Sequence, residues 1–148
     1  MFDTSKIHPM LVHFPIALAI VGVVLELVRF YFHKPNEAFF HKAEPKLPSG
    51  ELLLYIATVS AVVAVLSGFL FTGTFAGKPL EVRNLHMVLA VLSTVALALA
   101  SLLYIHARFV RMGRSTKLGL AFYVAAAILM GVAGHVGGDL VYTYMIGL

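Results

Sequence analysis

Long apolar runs alternate with short polar segments along this chain. Four runs, Pro9–Tyr31, Glu51–Thr72, Leu85–His106 and Leu118–Leu140, are long enough to cross a membrane, since a span needs about 20 residues at about 1.5 Å rise each. Lipid offers no hydrogen bonds to bare backbone, so each run is expected to be a continuous helix. The segment His33–Gly50 carries Pro35, Pro45 and Pro48 and reads as a loop, with room for a short interfacial helix around Phe39 and Phe40. Gly73–Asn84, with Gly77 and Pro79, reads as a turn, and Arg108–Lys117 as a short basic connector. Short connections make sequential helices antiparallel neighbours. The expected fold is therefore all-α, an integral membrane four-helix up-down bundle, with residues 1–148 forming a single four-span domain. No internal repeat is evident.

Composition agrees with this reading. Hydrophobic residues make up 60% of the 148, and charged residues only 12%, against about 25% in a typical soluble domain. A soluble domain of this size could not bury that much apolar surface. The first run starts at Pro9, is too long for a signal-peptide core and lacks a small-residue cleavage site, so it is expected to remain as a span.

Basic residues orient the bundle. Arg29, Lys34, Lys42, Lys46, Arg108, Arg111, Arg114 and Lys117 fall at one end, and Lys6, Lys78 and Arg83 at the other. The positive-inside rule then puts the first group in the cytoplasm and both termini on the far side. For a bacterium this means the inner membrane with periplasmic termini. The net charge of +4 is read as topology rather than nucleic-acid recruitment, since the aromatic–basic interleaving that single strands need is absent. The run Arg108, Arg111, Arg114 and Lys117 suits contact with anionic lipid.

On this topology the histidines are unevenly placed. His8 and His13 begin the first span, His86 begins the third and His135 ends the fourth, so all four lie at the non-cytoplasmic end. His33, His41 and His106 lie at the other. Small residues share the faces of the first group: Ala17 near His13, Ala90, Ser93, Ala96 and Ala100 near His86, and Gly131 and Gly138 near His135. Such stripes suit either close helix packing or a flat macrocycle. Ser67, Gly68, Thr72 and Gly73 make the second span small and polar toward the same end.

Imidazole is a common ligand of iron, copper and zinc. There is no cysteine, which excludes thiolate sites, iron–sulfur clusters and covalently attached c-type haem. Two imidazoles from facing helices can fill both axial positions of a b-type haem. His13 and His86 are the expected axial pair, from helices diagonal in the bundle. His135 is the alternate, with Asp139 one turn away to orient its ring, and His8 completes the cofactor-binding set. Each histidine also has a purely structural reading: His8 as a solvated helix entrance, His13 beside the Leu11 carbonyl that Pro15 frees, His86 and His135 as rings reaching the interface. Glu26 and Arg29, three apart, read as a local ion pair.

Two motifs carry a resemblance. His8-Pro9-Met10-Leu11-Val12-His13-Phe14-Pro15-Ile16-Ala17-Leu18 resembles the opening signature of a bacterial family of uncharacterised four-helix membrane proteins, a domain of unknown function. Gly134-His135-Val136-Gly137-Gly138-Asp139-Leu140-Val141-Tyr142 resembles its closing motif. The resemblance covers nearly the whole chain and implies a four-span bundle in a bacterial membrane. It matches His8, His13, His86 and His135 to the family's histidine positions. Fusion of some members to c-type cytochrome domains implies redox partners. The tail Thr143–Leu148 departs from the histidine and glycine–valine ending that members carry.

The expected function is that of a haem b-binding electron-transfer subunit rather than a stand-alone enzyme. Its expected partners are the lipid bilayer and a c-type cytochrome, quinol or larger redox complex. The alternatives are a histidine-ligated copper or other metal site, and a cofactor-free accessory subunit of a larger membrane complex. No phosphate loop, nucleophile triad or carboxylate pair supports a hydrolase or kinase.

Overall fold

The structure, a computed structural model, describes residues 7–32, 49–71, 77–110 and 113–144. These form four helices: α1 (Ile7–Phe32), α2 (Ser49–Phe71), α3 (Lys78–Val110) and α4 (Gly113–Tyr142). Each is long and apolar enough to span a membrane. The Phe39–Phe40 segment, His33 and His41 lie outside the described residues.

Two connectors are shorter than the apolar runs suggest, because helix continues beyond the lipid-facing stretch. α3 starts at Lys78 rather than Leu85, so Lys78–Asn84 is helical and not turn. Gly77 precedes it with φ 68° and offers its carbonyl to the Leu80 N–H at 3.1 Å. A φ of that sign favours glycine. Pro79 then sits in the first turn, where its missing N–H removes no helical bond. At the other end α3 runs to Val110 and α4 begins at Gly113, so most of the expected basic connector is helical.

α1 packs closely along α2 and α3 along α4, and the two hairpins meet more loosely along α2/α3 and α1/α4. α1 and α3 are therefore diagonal. Leu54, Leu97 and Tyr123 fill a core otherwise made mainly of alanine, including Ala19, Ala57, Ala100 and Ala126. Small residues bring backbones close, which replaces the hydrophobic drive that lipid removes.

The two hairpins repeat one another. In α1 the buried positions are Pro15, Ala19, Gly22, Val23 and Glu26. In α3 the same intervals give Ser93, Leu97, Ala100, Ser101 and Tyr104, all buried. Likewise Leu54, Ala57, Ala61 and Ala64 of α2 correspond to Tyr123, Ala126, Met130 and Ala133 of α4. Gly50 and Gly119, buried near the helix starts, sit at equivalent places: an added Cβ would come within 2.7 Å of Glu26 Cγ in one hairpin and 2.8 Å of Tyr104 Cδ2 in the other. The repeat is not visible in the sequence because the halves share burial and few identities.

At the basic end the equivalence breaks into a polar clamp. Arg29 donates to Glu26 Oε2 from Nη2 (2.6 Å) and Nε (3.1 Å), so the expected pair forms. Tyr104 of α3 donates to the same oxygen at 3.1 Å. Arg108, read from sequence as a lipid contact, instead grips Glu51 of α2 through Nε (3.3 Å) and Nη2 (3.2 Å), and Tyr55 donates to Glu51 at 2.7 Å. Glu26 is 1% exposed and the Arg29 side chain 41%. Removing the arginine therefore strands a buried carboxylate, whereas a glutamine at position 26 still accepts from Tyr104.

Two consequences are measurable by thermal unfolding in detergent. Arg29→Ala is expected to cost about 3–5 kcal/mol and Glu26→Gln about 1–2 kcal/mol; the reverse order would contradict the clamp. A methyl at Gly22 would overlap the Tyr123 hydroxyl, and it would stand 3.0 Å from Tyr123 Cζ. Gly22→Ala should thus cost about 1–3 kcal/mol, and Tyr123→Phe should partly restore the loss.

Candidate functional site

At the opposite end, between the hairpins, lies a cavity of about 640 Å³ with a mainly apolar lining. This falls within the range of small-molecule and cofactor sites. Its walls include Ala61, Ala64, Ala90, Ser93, Ala133 and Gly134, so two of the small residues sharing His86's face, Ala90 and Ser93, do open space. Ala96 and Ala100 of the same stripe pack in the core instead.

His8 and His86 face one another in this cavity, with ring centroids 6.2 Å apart and planes at 77°. Each ring is seated on the antiparallel neighbour of its own helix. His8 Nδ1 lies 3.1 Å from the Ala64 carbonyl and 2.9 Å from Ser67 Oγ. Ser67 spends its own proton on the Ala64 carbonyl at 2.7 Å, so both oxygens can only accept from the ring. His86 Nδ1 donates to the Ala133 carbonyl at 2.8 Å. A carbonyl has no proton to give, so Nδ1 carries the hydrogen in both rings. In the neutral imidazole Nε2 then bears the lone pair. Nδ1–H on a backbone carbonyl is the usual support of a metal-ligating histidine.

Glycines make these seats. A Cβ on Gly68 would stand 3.0 Å from His8 Cε1, and one on Gly137 would stand 2.8 Å from His86 Cε1. Gly68 follows Ala64 by the same interval as Gly137 follows Ala133. The seats are therefore the repeated hairpin unit once more: carbonyl from an alanine, ring against the glycine one turn on. The small-x-x-x-small spacings Ala64–Gly68 and Ala133–Gly137 are the sequence signal that could have revealed them.

The other predicted histidines are placed differently. His13 borders the cavity, but it is an exposed residue and its Nδ1 donates to the Pro9 carbonyl of its own helix at 2.7 Å. That bond does not use the Leu11 carbonyl freed by Pro15. His135 is exposed and outside the cavity lining, as is Asp139, and no hydrogen bond joins the two among the described residues. The Asp139 carbonyl instead accepts from the Thr143 and Tyr144 N–H groups, at 3.0 and 3.3 Å. His106 is exposed at the other end of the bundle. The diagonal α1–α3 pairing expected for His13 and His86 is thus occupied by His8 and His86, one and a half turns nearer the start of α1. Among the described residues, no three His, Asp or Glu side chains converge in an ion-binding group.

Nitrogen-15 spectra of the ring nitrogens provide a check. The neutral rings of His8, His13 and His86 should each appear as the Nδ1-protonated tautomer. An Nε2-protonated His86 would contradict its bond to Ala133.

No curated protein and no solved structure matches the chain. A family model does match, over residues 4–148, and its description is a predicted membrane protein, DUF2231. That match spans all four helices and both histidine motifs, and the chain belongs to the DUF2231 family of membrane proteins.

Proposed function

We propose that this protein is a b-type haem-binding electron-transfer subunit, with His8 and His86 as the axial ligands. The observation that carries the reading is the arrangement of those two rings. Two imidazoles bound on opposite sides of one ion, with metal–nitrogen bonds of about 2.0 Å, put their centroids about 6.3 Å apart. The 6.2 Å spacing matches that value. Edge-to-face ring pairs can have the same spacing, so the support lies in the combination: fixed Nδ1–H groups, available Nε2 lone pairs, diagonal helices and an apolar cavity around them.

Haem needs only two protein ligands, because the macrocycle supplies the other four. This suits a site in which two imidazoles converge better than a copper site built from three or four. When bound, haem supplies one-electron chemistry, with its potential set by burial and by hydrogen bonds behind the ligands. The chain's contribution is the Ala64, Ser67 and Ala133 support of the rings and a wall of small side chains beside them. Arg83, one turn before His86, also lines the cavity. The positive-inside orientation puts this end at the non-cytoplasmic face of a bacterial inner membrane. There the site would exchange electrons with a periplasmic c-type cytochrome or with quinol.

Absorption spectra of the detergent-purified protein, oxidised and reduced, test the reading. Sharp reduced b-type bands are expected, lost in His8→Ala and in His86→Ala and retained in His13→Ala and His135→Ala. A colourless wild-type protein that does not take up added haem would overturn it. Loss of haem in His13→Ala with retention in His8→Ala would instead move the ligand back to His13. The hairpin repeat adds a second readout. If similarly seated rings hold the two sides of a haem, proton NMR of the haem-loaded protein should show two sets of haem methyl resonances.

A further inference from the structure

At the end of the bundle far from the histidines, two buried polar atoms have no hydrogen-bond partner among the described residues, Glu26 Oε1 and Tyr123 Oη. Glu26 is 1% and Tyr123 0% exposed. A stranded buried polar group is destabilising, and such groups in folded proteins are usually satisfied by water when protein does not serve. Here both belong to one neighbourhood. The point where Gly50 would carry a Cβ lies 2.8 Å from Glu26 Oε1 and 2.9 Å from the Gly22 carbonyl oxygen. Tyr123 Oη occupies the place of a side chain at the same Gly22.

The hairpin repeat shows that this neighbourhood is specific to one half. The counterpart of Gly22 is Ala100, and the counterpart of Tyr123 is Leu54, both apolar and 0% exposed. One half is therefore built with a methyl and an isobutyl group. The other lacks the methyl and brings in a hydroxyl. Apolar packing alone gives no reason for the exchange, since a leucine at position 123 would repeat the solution already used at Leu54.

We propose that Glu26, Tyr123 and the Gly22 carbonyl form a binding site for a single water molecule. Such a water donates its two hydrogens to Glu26 Oε1 and the Gly22 oxygen and accepts the Tyr123 hydroxyl proton. Each stranded atom then has a partner, and the water has three, the number typical of buried water. Charge selects a neutral guest. Arg29 Nη2 stands 2.6 Å from the other oxygen of the same carboxylate, which disfavours a cation, and the carboxylate itself disfavours an anion. The water extends the polar clamp to α4, so that α1, α3 and α4 are joined through one carboxylate. The site is independent of any cofactor at the histidine end.

Infrared spectroscopy of the whole protein in lipid, hydrated with deuterium oxide of natural or oxygen-18 composition, tests this. The expected result is a narrow water O–D stretch that shifts with oxygen-18 and disappears in both Tyr123→Phe and Glu26→Gln. The Glu26 carboxylate band, identified by its loss in Glu26→Gln, should shift in Tyr123→Phe. Tyr55→Phe, which removes a hydroxyl that donates to Glu51, should leave the water band in place. A carboxylate shift in Tyr123→Phe with no oxygen-18-sensitive band would mean a direct phenol–carboxylate bond and would overturn the proposal. So would spectra unchanged in Tyr123→Phe. If Glu26→Gln fails to fold, Tyr123→Phe alone decides, because it removes the donor and keeps the shape.

Discussion

A bilayer interior contains no water to complete unmet hydrogen bonds, so polar groups within a membrane bundle must find partners in protein or in something the protein holds. Both ends of this molecule are organised by that constraint. At one end the imidazoles of His8 and His86 hand their Nδ1 protons to carbonyls of the neighbouring helix. At the other, two carboxylates are gripped by arginines and tyrosines. Between them the helices meet through alanine and glycine. Polar chemistry is thus concentrated at the two ends, close backbone approach occupies the middle, and a Thr58–Ser101 hydroxyl contact at 2.9 Å joins α2 and α3 there.

The same constraint gives the histidines their direction. A neutral ring that donates from Nδ1 to a carbonyl presents a lone pair at Nε2, and its orientation is set by a backbone group that cannot swing away. The glycine beside each ring is part of the device, since a methyl there would displace the imidazole. The two seats share an alanine carbonyl and a glycine one turn on, with Ser67 added at His8 alone, and this likeness is what singles out His8 and His86 from the other histidines. His13 and His135 have no counterparts of their own type in the opposite hairpin: Val91 and Leu66 stand in those places.

Equivalence of the halves ends at the clamp, where Glu26 stands opposite Tyr104 and Tyr123 opposite Leu54. A bundle with two matching hairpins could pack in more than one way with similar energy. A charged network in low dielectric penalises any arrangement that separates its members. The asymmetric end is thus suited to fixing which hairpin goes where, and the symmetric end places two imidazoles across a shared space.

The four crossings, the up-down order and the gathering of histidines at one end were all legible in the sequence. They depend on run length, run hydropathy and the parity of antiparallel helices, which are local quantities summed along the chain. The Glu26–Arg29 pair was legible for the same reason, as neighbours on one helical turn. The partners across helices were not. Nothing in the spacing of His8 and Ala64, Glu51 and Arg108, or Gly22 and Tyr123 marks them as contacts, because rotation of each helix about its axis is set only when the faces meet. That rotation left His13 exposed at the border of the cavity and seated His8 against α2, and it revealed two hairpins alike in which positions are buried though not in residue identity. Depth in the membrane is a one-dimensional property that a chain can specify by itself. Which side of a helix faces the core is decided by three-dimensional fit, and only the packed bundle contains it.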